Sequence, residues 1–437
     1  MTTAIQPALI VEPARGLIDV PRSIRLTQFP PSQPVTISAS LPRADGSVWR
    51  SHASFIVDSD GSLDLDRAVP AEGSSYRQAS ASGLIWSLAL EEGKEAVRGD
   101  EAIDPRTIEL HASTADGTSA SASLVQDIVA EGVSREEIRA QGLAGTLFRP
   151  AGEGPHPVVI VLNGSGGGIN EARAALFAAY GYAGFALGYF QAPGLPNYIS
   201  ATPLEYFRNA LAWTRQHLVP AHGFVALTGQ SRGAELALLL GSTFSAEVSA
   251  IIGYVPSSVV HGTLRAGKPG EHPASPAWTL DNKPLPVVWE DNRTADWSAF
   301  NSTVSPVRQS PAFVSALRDP DAVERARIPV EKITGPVLLL SGTDDGFWPS
   351  SDMSDTIVER IRAAGHPHPI THLRYEGAGH SIQFPFVPTT RIVKPHAVAK
   401  GDLTAGGTPE ANAHANEESW PKVLEFLDAA VRDHKRF

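Results

Sequence analysis

The sequence predicts an α/β protein: a mostly parallel, doubly wound sheet preceded by an N-terminal antiparallel, immunoglobulin-like β-sandwich. Three observations carry this expectation. At 437 residues the chain exceeds one ordinary domain. Up to about residue 125 it shows short extended runs separated by Pro and Gly. Beyond residue 140 apolar runs alternate with helical patterns, as parallel strands joined by helical crossovers require.

In the first part, Pro34 to Leu41 sets Val35, Ile37, Ala39 and Leu41 on one face and Thr36, Ser38 and Ser40 on the other, the period of a half-buried strand. Trp49 to Val57 is a second strand, ending in the turn Asp58-Ser59-Asp60-Gly61. Leu84 to Leu88 and Thr107 to Ser113 are read as further strands. The acidic stretch Asp58 to Asp66 fails the spacing of a calcium loop and reads as a hairpin turn.

A charged connector, Val133 to Arg139, leads into the second part. There Val158 to Leu162, Gly184 to Tyr189, Phe224 to Thr228, Ala250 to Tyr254, Val337 to Leu340 and Ile370 to Tyr375 are expected as strands. Glu171 to Tyr180, Leu204 to Leu218 and Ala234 to Leu240 are expected as helices between them, and Pro421 to Arg432 as a closing amphipathic helix. The expected division is 1–132 for the sandwich and 133–437 for the α/β part. Residues 256–329, rich in Pro, Trp, Ser and Asn, are expected as a cap over the strand ends.

Composition excludes several functions. With no cysteine, the chain has no disulfide, thiolate metal site or cysteine nucleophile. A net charge of −11 argues against nucleic-acid binding, which needs clustered Lys and Arg. No run of about 18 apolar residues occurs, so no membrane span is expected. Met1 to Pro7 lacks a basic stretch followed by an apolar one, so no secretory leader is expected and the expected compartment is the cytoplasm. Oligomeric state is not readable from the residues.

Gly229-Gln230-Ser231-Arg232-Gly233 lies between an expected strand and an expected helix. A strand-to-helix turn that sharp needs small flanking residues, and it lifts the serine hydroxyl to a helix N-terminus, the nucleophile elbow of the α/β-hydrolase fold. A serine needs a base, and the base an orienting carboxylate. His380 follows Ile370 to Tyr375 on the glycine-containing loop Glu376 to Gly379, and Asp344-Asp345 follows Val337 to Leu340. The chain order Ser231, Asp, His380 is the one this fold uses. Asp345 is the expected acid, with Asp344 the alternative. His366 and His368, in a Gly-His-Pro-His-Pro stretch, read as an exposed turn.

Two backbone donors are needed for the oxyanion of the tetrahedral intermediate. One is the amide of Arg232. The other is expected from Asn163-Gly164-Ser165-Gly166-Gly167-Gly168, with Ser165 and Gly166 the candidates. A phosphate loop is the competing reading of these glycines, but no Lys-Ser/Thr pair follows them. Glu235, one turn from Arg232, reads as helix-dipole compensation and an i,i+3 pair rather than as catalytic.

These motifs resemble those of the acyl-CoA thioesterase and bile acid-CoA:amino acid N-acyltransferase family, and the resemblance spans nearly the whole chain. Val11-Glu12-Pro13, Phe29-Pro30-Pro31 and Gly83-Leu84-Ile85-Trp86 resemble its N-terminal β-sandwich. The Asn163 to Gly168 loop with Glu171 and Arg173, the helix Leu204-Glu205-Tyr206-Phe207, and Ser231-Arg232-Gly233-Ala234-Glu235 resemble its oxyanion loop, pre-elbow helix and elbow. Asp344-Asp345 with Trp348, and Gly377-Ala378-Gly379-His380, resemble its acid and histidine segments. Arg232 replaces the family's usual Lys, and Gln383-Phe384-Pro385 departs from its common continuation after the histidine. The family's conjugating branch uses a cysteine nucleophile. The resemblance with Ser231 in place therefore implies hydrolysis of acyl thioesters through an acyl-Ser231 intermediate, with acyl-CoA as substrate and no metal or redox cofactor. Carboxylesterase, lactonase or acyltransferase activity on non-CoA acyl compounds is the alternative that the same triad serves. A non-catalytic binding module is disfavoured by the intact Ser231, Asp345 and His380.

Overall fold

The structure, a computed structural model, describes residues 6–93, 103–302, 304–396, 398 and 401–435. In its N-terminal part a three-stranded sheet packs with a six-stranded one. The longest strands, Pro34–Pro42, Val48–Ile56, Arg106–Thr114 and Ser119–Asp127, pair antiparallel. Val35, Ile37, Ala39 and Leu41 are all buried, as the period-2 pattern predicts, and join Leu9, Ile24, Leu26, Phe55, Ile108 and Leu124 in one core between the sheets. The turn at Asp58 forms, closed by the Gly61 amide on the Asp58 carbonyl at 3.0 Å, but it is not the expected hairpin: Val48–Ile56 before it pairs within the six-stranded sheet, and Leu63–Asp64 after it pairs with Ser23–Thr27 in the other.

The second part is built on an eight-stranded sheet. Its strands are β1 (Ser134–Ile138), β2 (Ala144–Arg149), β3 (Val158–Leu162), β4 (Ala183–Gly188), β5 (Val225–Gln230), β6 (Ala250–Tyr254), β7 (Val337–Gly342) and β8 (Ile370–Tyr375). Their spatial order is β1-β2-β4-β3-β5-β6-β7-β8. β2 runs antiparallel to both neighbours, and from β4 to β8 all pairs are parallel. This is the α/β-hydrolase fold. Side chains of β3 alternate between two cores, Val158, Ile160 and Leu162 facing one and Val159 and Val161 the other, which is why the strand reads as an unbroken apolar run. Helices α1 (Glu171–Ala179) and α5 (Pro409–His434) cover one face. Helices α2 (Leu204–Leu218), α3 (Arg232–Thr243) and α4 (Ser350–Ala363) cover the other. The chain steps outward from β3 to β4 and returns past it to β5, so a crevice opens beyond the carboxyl ends of β3 and β5.

Four further readings of the sequence are corrected. Leu84 to Leu88 is not a strand: Gly83–Trp86 forms a helical turn, with the Ile85 and Trp86 amides on the Ser82 carbonyl. All four of its residues are buried, and a short apolar run without alternation does not distinguish the two conformations. Val133 to Arg139 is not only a connector, because it contains β1. Charges there protect the exposed edge of the sheet. The paired strand β2 was also missed. Finally, α5 begins at Pro409, not Pro421. Thr408 caps it by accepting from the Ala411 amide at 3.1 Å, Pro409 takes the first turn, and Pro421 lies in the interior.

Among the described residues, 256–329 hold two short strands, two short α-helices and an apolar cluster around Trp289, Phe300 and Phe313, which Trp348 and Met353 from outside the stretch complete. Among the described residues, no helix is long and apolar enough to cross a membrane.

Candidate active site

β5 delivers Ser231 to the crevice, and α3 starts at the next residue. The turn between them holds Ser231 at φ 57°, ψ −122°, a conformation costly for a residue with a side chain and tolerated where surrounding structure imposes it. Here the Ser231 amide donates to Tyr254 O at 2.9 Å, and its carbonyl accepts from the Ala234 and Glu235 amides. The two glycines are obligatory. A Cβ on Gly229 would lie 2.1 Å from Gly233 O, and one on Gly233 would lie 2.4 Å from Leu162 O.

The Arg232 side chain turns away from the crevice into the core. Its Nη1 donates to both Glu235 oxygens and to His261 O at 3.0 Å, and its Nη2 to Gly262 O at 2.8 Å. Trp278 Nε1 also donates to Glu235, at 2.9 Å. The expected i,i+3 pair is therefore present, as a fully buried junction between α3 and the 256–329 excursion. Burial pushes the Glu235 carboxyl upward, and the Arg232 and Trp278 donors pull it back.

β7 ends at Gly342, and Asp345 is buried just beyond it. Its Oδ1 accepts from the Phe347 and Trp348 amides, and its Oδ2 from Ser350 Oγ at 2.6 Å. The same carboxylate meets His380 Nδ1 at 2.8 and 2.9 Å. Asp344 points elsewhere, to Arg308 Nη2 at 2.7 Å and the Gly407 amide at 2.9 Å. Of the two acids, only Asp345 is brought to the histidine.

His380 is carried on the loop after β8, which α5 braces. Asn412 Oδ1 accepts from the Gly379 amide and Asn416 Oδ1 from the Gln383 amide. Phe347 lies across the imidazole, ring centroids 4.5 Å apart. With Nδ1 committed to Asp345, His380 Nε2 is buried and makes no hydrogen bond among the described residues, Ser231 Oγ included. Ser231 and His380 line one cleft of about 190 Å³. Hydrogen bonds between a nucleophile and its base commonly tighten only in the substrate complex.

The Asn163 to Gly168 loop lines the same cleft. Asn163 organises it: its Nδ2 donates to Gly167 O at 2.7 Å and its Oδ1 accepts from the Gly164 amide at 2.9 Å. The Gly167 and Gly168 amides are used by Gly164 O and Phe190 O. Both glycines sit at positive φ, 63° and 83°. Among the described residues, the Ser165 amide has no acceptor, and the Arg232 amide, first in α3, has no intrahelical one.

Beside the polar cleft, an apolar hollow of about 40 Å³ also reaches Ser231, walled by Leu264, Phe300, Phe313, Phe347, Trp348 and Leu403. Two cleft residues escaped the sequence reading. Arg173, quoted there only as part of a resemblance, is buried with its guanidinium 3.9 Å above the Tyr254 ring, and burial pulls its pKa down. His396 lies beyond the strand Val393–Pro395 and meets Ser165 Oγ at 2.9 Å. Burial, then Lys394, Arg265 and His380, push its pKa down to about 4. No motif marks His396. His366 is half-buried, its ring on Gly335 O, rather than part of an exposed turn.

Residues 202–433 match the family described as BAAT / acyl-CoA thioester hydrolase C terminal, and residues 19–140 match the acyl-CoA thioester hydrolase/BAAT N-terminal region. Human acyl-coenzyme A thioesterase 1 is 32% identical over 433 residues, covering 98% of this chain and 97% of that protein. Human mitochondrial acyl-coenzyme A thioesterase 2 is 32% identical, covering 98% and 85%. The mouse peroxisomal succinyl-coenzyme A thioesterase is 30% identical over 425 residues, covering 96% of each.

Proposed function

This chain belongs to the acyl-CoA thioester hydrolase/BAAT family, and on that premise we propose that it hydrolyses acyl-CoA thioesters with Ser231, His380 and Asp345 as its catalytic triad. The observation that carries the reading is the two-oxygen grip of Asp345 on His380 Nδ1, with Nε2 left unpartnered in the cleft that holds Ser231.

In the reaction, Ser231 Oγ attacks the thioester carbonyl while His380 Nε2 takes its proton. Asp345 holds the imidazole in the tautomer with the proton on Nδ1 and stabilises the cation that forms. The carbonyl oxygen becomes an oxyanion held by the Arg232 and Ser165 amides, Gly166 being the neighbouring alternative. Collapse expels the thiol, protonated by His380, and leaves acyl-Ser231. Water, deprotonated by His380, then attacks the acyl-enzyme, and Ser231 is released with a carboxylate product. A serine that forms an oxygen ester suits transfer to water, and the chain contains no cysteine to replace it.

The same reading divides the chain into an N-terminal unit, 1–132, and a hydrolase unit, 133–437, with 256–329 as the cap. It is supported by the end of one sheet at Asp127 and the start of the other at Ser134. A fluorophosphonate probe tests the triad: wild-type protein is expected to be labelled at Ser231. Absence of label, or equal label on Ser231→Ala, would refute it.

A further inference from the structure

His396 is among the cleft side chains that have no part in the reaction as described. His396 borders both the polar cleft and the apolar hollow beside Ser231. Its Nδ1 accepts from the Val398 amide at 3.2 Å, and its Nε2 lies 2.9 Å from Ser165 Oγ. A backbone N–H can only donate, so Nδ1 carries the lone pair and the proton of the neutral ring sits on Nε2. Nε2 therefore donates to Ser165 Oγ. This leaves the hydroxyl proton of Ser165 free to be given to something other than His396, and among the described residues Ser165 Oγ has no second partner.

Ser165 stands close to where the chemistry occurs. A Cβ on its neighbour Gly164 would lie 3.4 Å from Ser231 Cβ, so this stretch of loop rests on the elbow. Ser165 also shares both pockets with Ser231. With its pKa pushed down to about 4, His396 is neutral at ordinary working pH, and the direction of its hydrogen bond is constant there.

We propose that the Ser165 hydroxyl is a third donor to the substrate carbonyl oxygen, added to the backbone amides, and that His396 is the positioning residue that fixes its rotamer and proton. This rests on the reading of Ser231 as nucleophile. No proton changes hands at Ser165. Its O–H bond to the carbonyl strengthens as negative charge gathers on that oxygen, so the contact favours the transition state over bound substrate.

The test is steady-state kinetics of Ser165→Ala, Ser165→Thr, His396→Ala, His396→Gln and the double alanine variant. Each is run on an acyl-CoA series and on p-nitrophenyl esters, with thermal denaturation to check folding. Ser165→Ala is expected to lower kcat about 10- to 100-fold with KM little changed, while Ser165→Thr, which keeps the hydroxyl, retains most of it. His396→Ala should show a similar kcat loss, and His396→Gln, whose amide can donate from near the Nε2 position, should recover part of it. The double variant should be no slower than the slower single one, because both remove the same contact. A kcat for Ser165→Ala within twofold of wild type overturns the proposal, as does an undiminished His396→Ala effect in the Ser165→Ala background. Failure of the premise looks different: wild type itself takes no label at Ser231, and the proposal falls with it.

Discussion

Asp345 holds His380 Nδ1 with both carboxylate oxygens, at 2.8 and 2.9 Å, while its chain neighbour Asp344 faces Arg308 and the Gly407 amide. The two acids are adjacent in sequence, and the turn after β7 gives them different partners. Two backbone amides and Ser350 Oγ fix the orientation of Asp345, so the imidazole meets a carboxylate that is already in place. Asp345→Asn is expected to lower kcat by roughly 10³- to 10⁴-fold, as loss of the orienting acid does in such triads. Asp344→Asn removes a partly exposed ion pair, and its effect on stability should stay within about 1 kcal/mol. Equal kcat losses in the two variants would contradict the assignment.

The elbow glycines allow no side chain. Gly233→Ala places a methyl 2.4 Å from Leu162 O and 2.5 Å from Asn163 O, so the turn and the neighbouring Asn163 to Gly168 loop must separate. Destabilisation of about 1–3 kcal/mol, with loss of fluorophosphonate labelling, is expected. Chemical denaturation alongside labelling checks it, and a variant of wild-type stability and reactivity would contradict the geometry.

The Arg232–Glu235 pair is a structural junction. Glu235→Ala leaves a buried guanidinium with two backbone carbonyls and no carboxylate, which should cost about 3–5 kcal/mol in urea unfolding. A loss under 1 kcal/mol would show that water reaches Arg232.

His261 should make stability depend on pH. It is wholly buried between Trp289, Phe313 and Trp348, with its Nδ1 accepting from Trp289 Nε1, and burial followed by the nearby Arg232 charge holds its pKa well below 6.5. The unfolded chain takes up a proton below about pH 6.5 where the native state does not, so the neutral form contributes its full stability above that pH. As pH falls below it, stability is lost at up to about 1.4 kcal/mol per pH unit. His366, His372, His396 and His434 shift in the same direction, so the comparison is made with His261→Gln. Its unfolding free energy should fall less steeply between pH 6.5 and 5 than that of wild type, and parallel curves would contradict the prediction.

The parts of this molecule that are legible in the sequence are those set by local pattern. Val35 to Leu41 alternates, and it forms a strand buried on one side. β3 reads as a solid apolar run because both its faces are covered. Ser231 is legible because a strand, two glycines and a helix must coincide around it. Features decided by distant partners are not legible. Asp344 and Asp345 have the same chemistry, and only the fold shows which one meets a histidine 35 residues away. Ser165 and His396 lie 231 positions apart, and nothing in Val-Lys-Pro-His marks a cleft residue. Charges in β1 suggest a linker because an edge strand and a linker both need solubility.

The central claim, that Ser231 attacks acyl-CoA thioesters, is tested most directly by thiol release over an acyl-CoA chain-length series. Wild type and Ser231→Ala are compared, with p-nitrophenyl esters run in parallel. Wild type should release coenzyme A thiol, and Ser231→Ala should release none above the uncatalysed rate. Turnover of the esters without any acyl-CoA, or thiol release undiminished in Ser231→Ala, would contradict it.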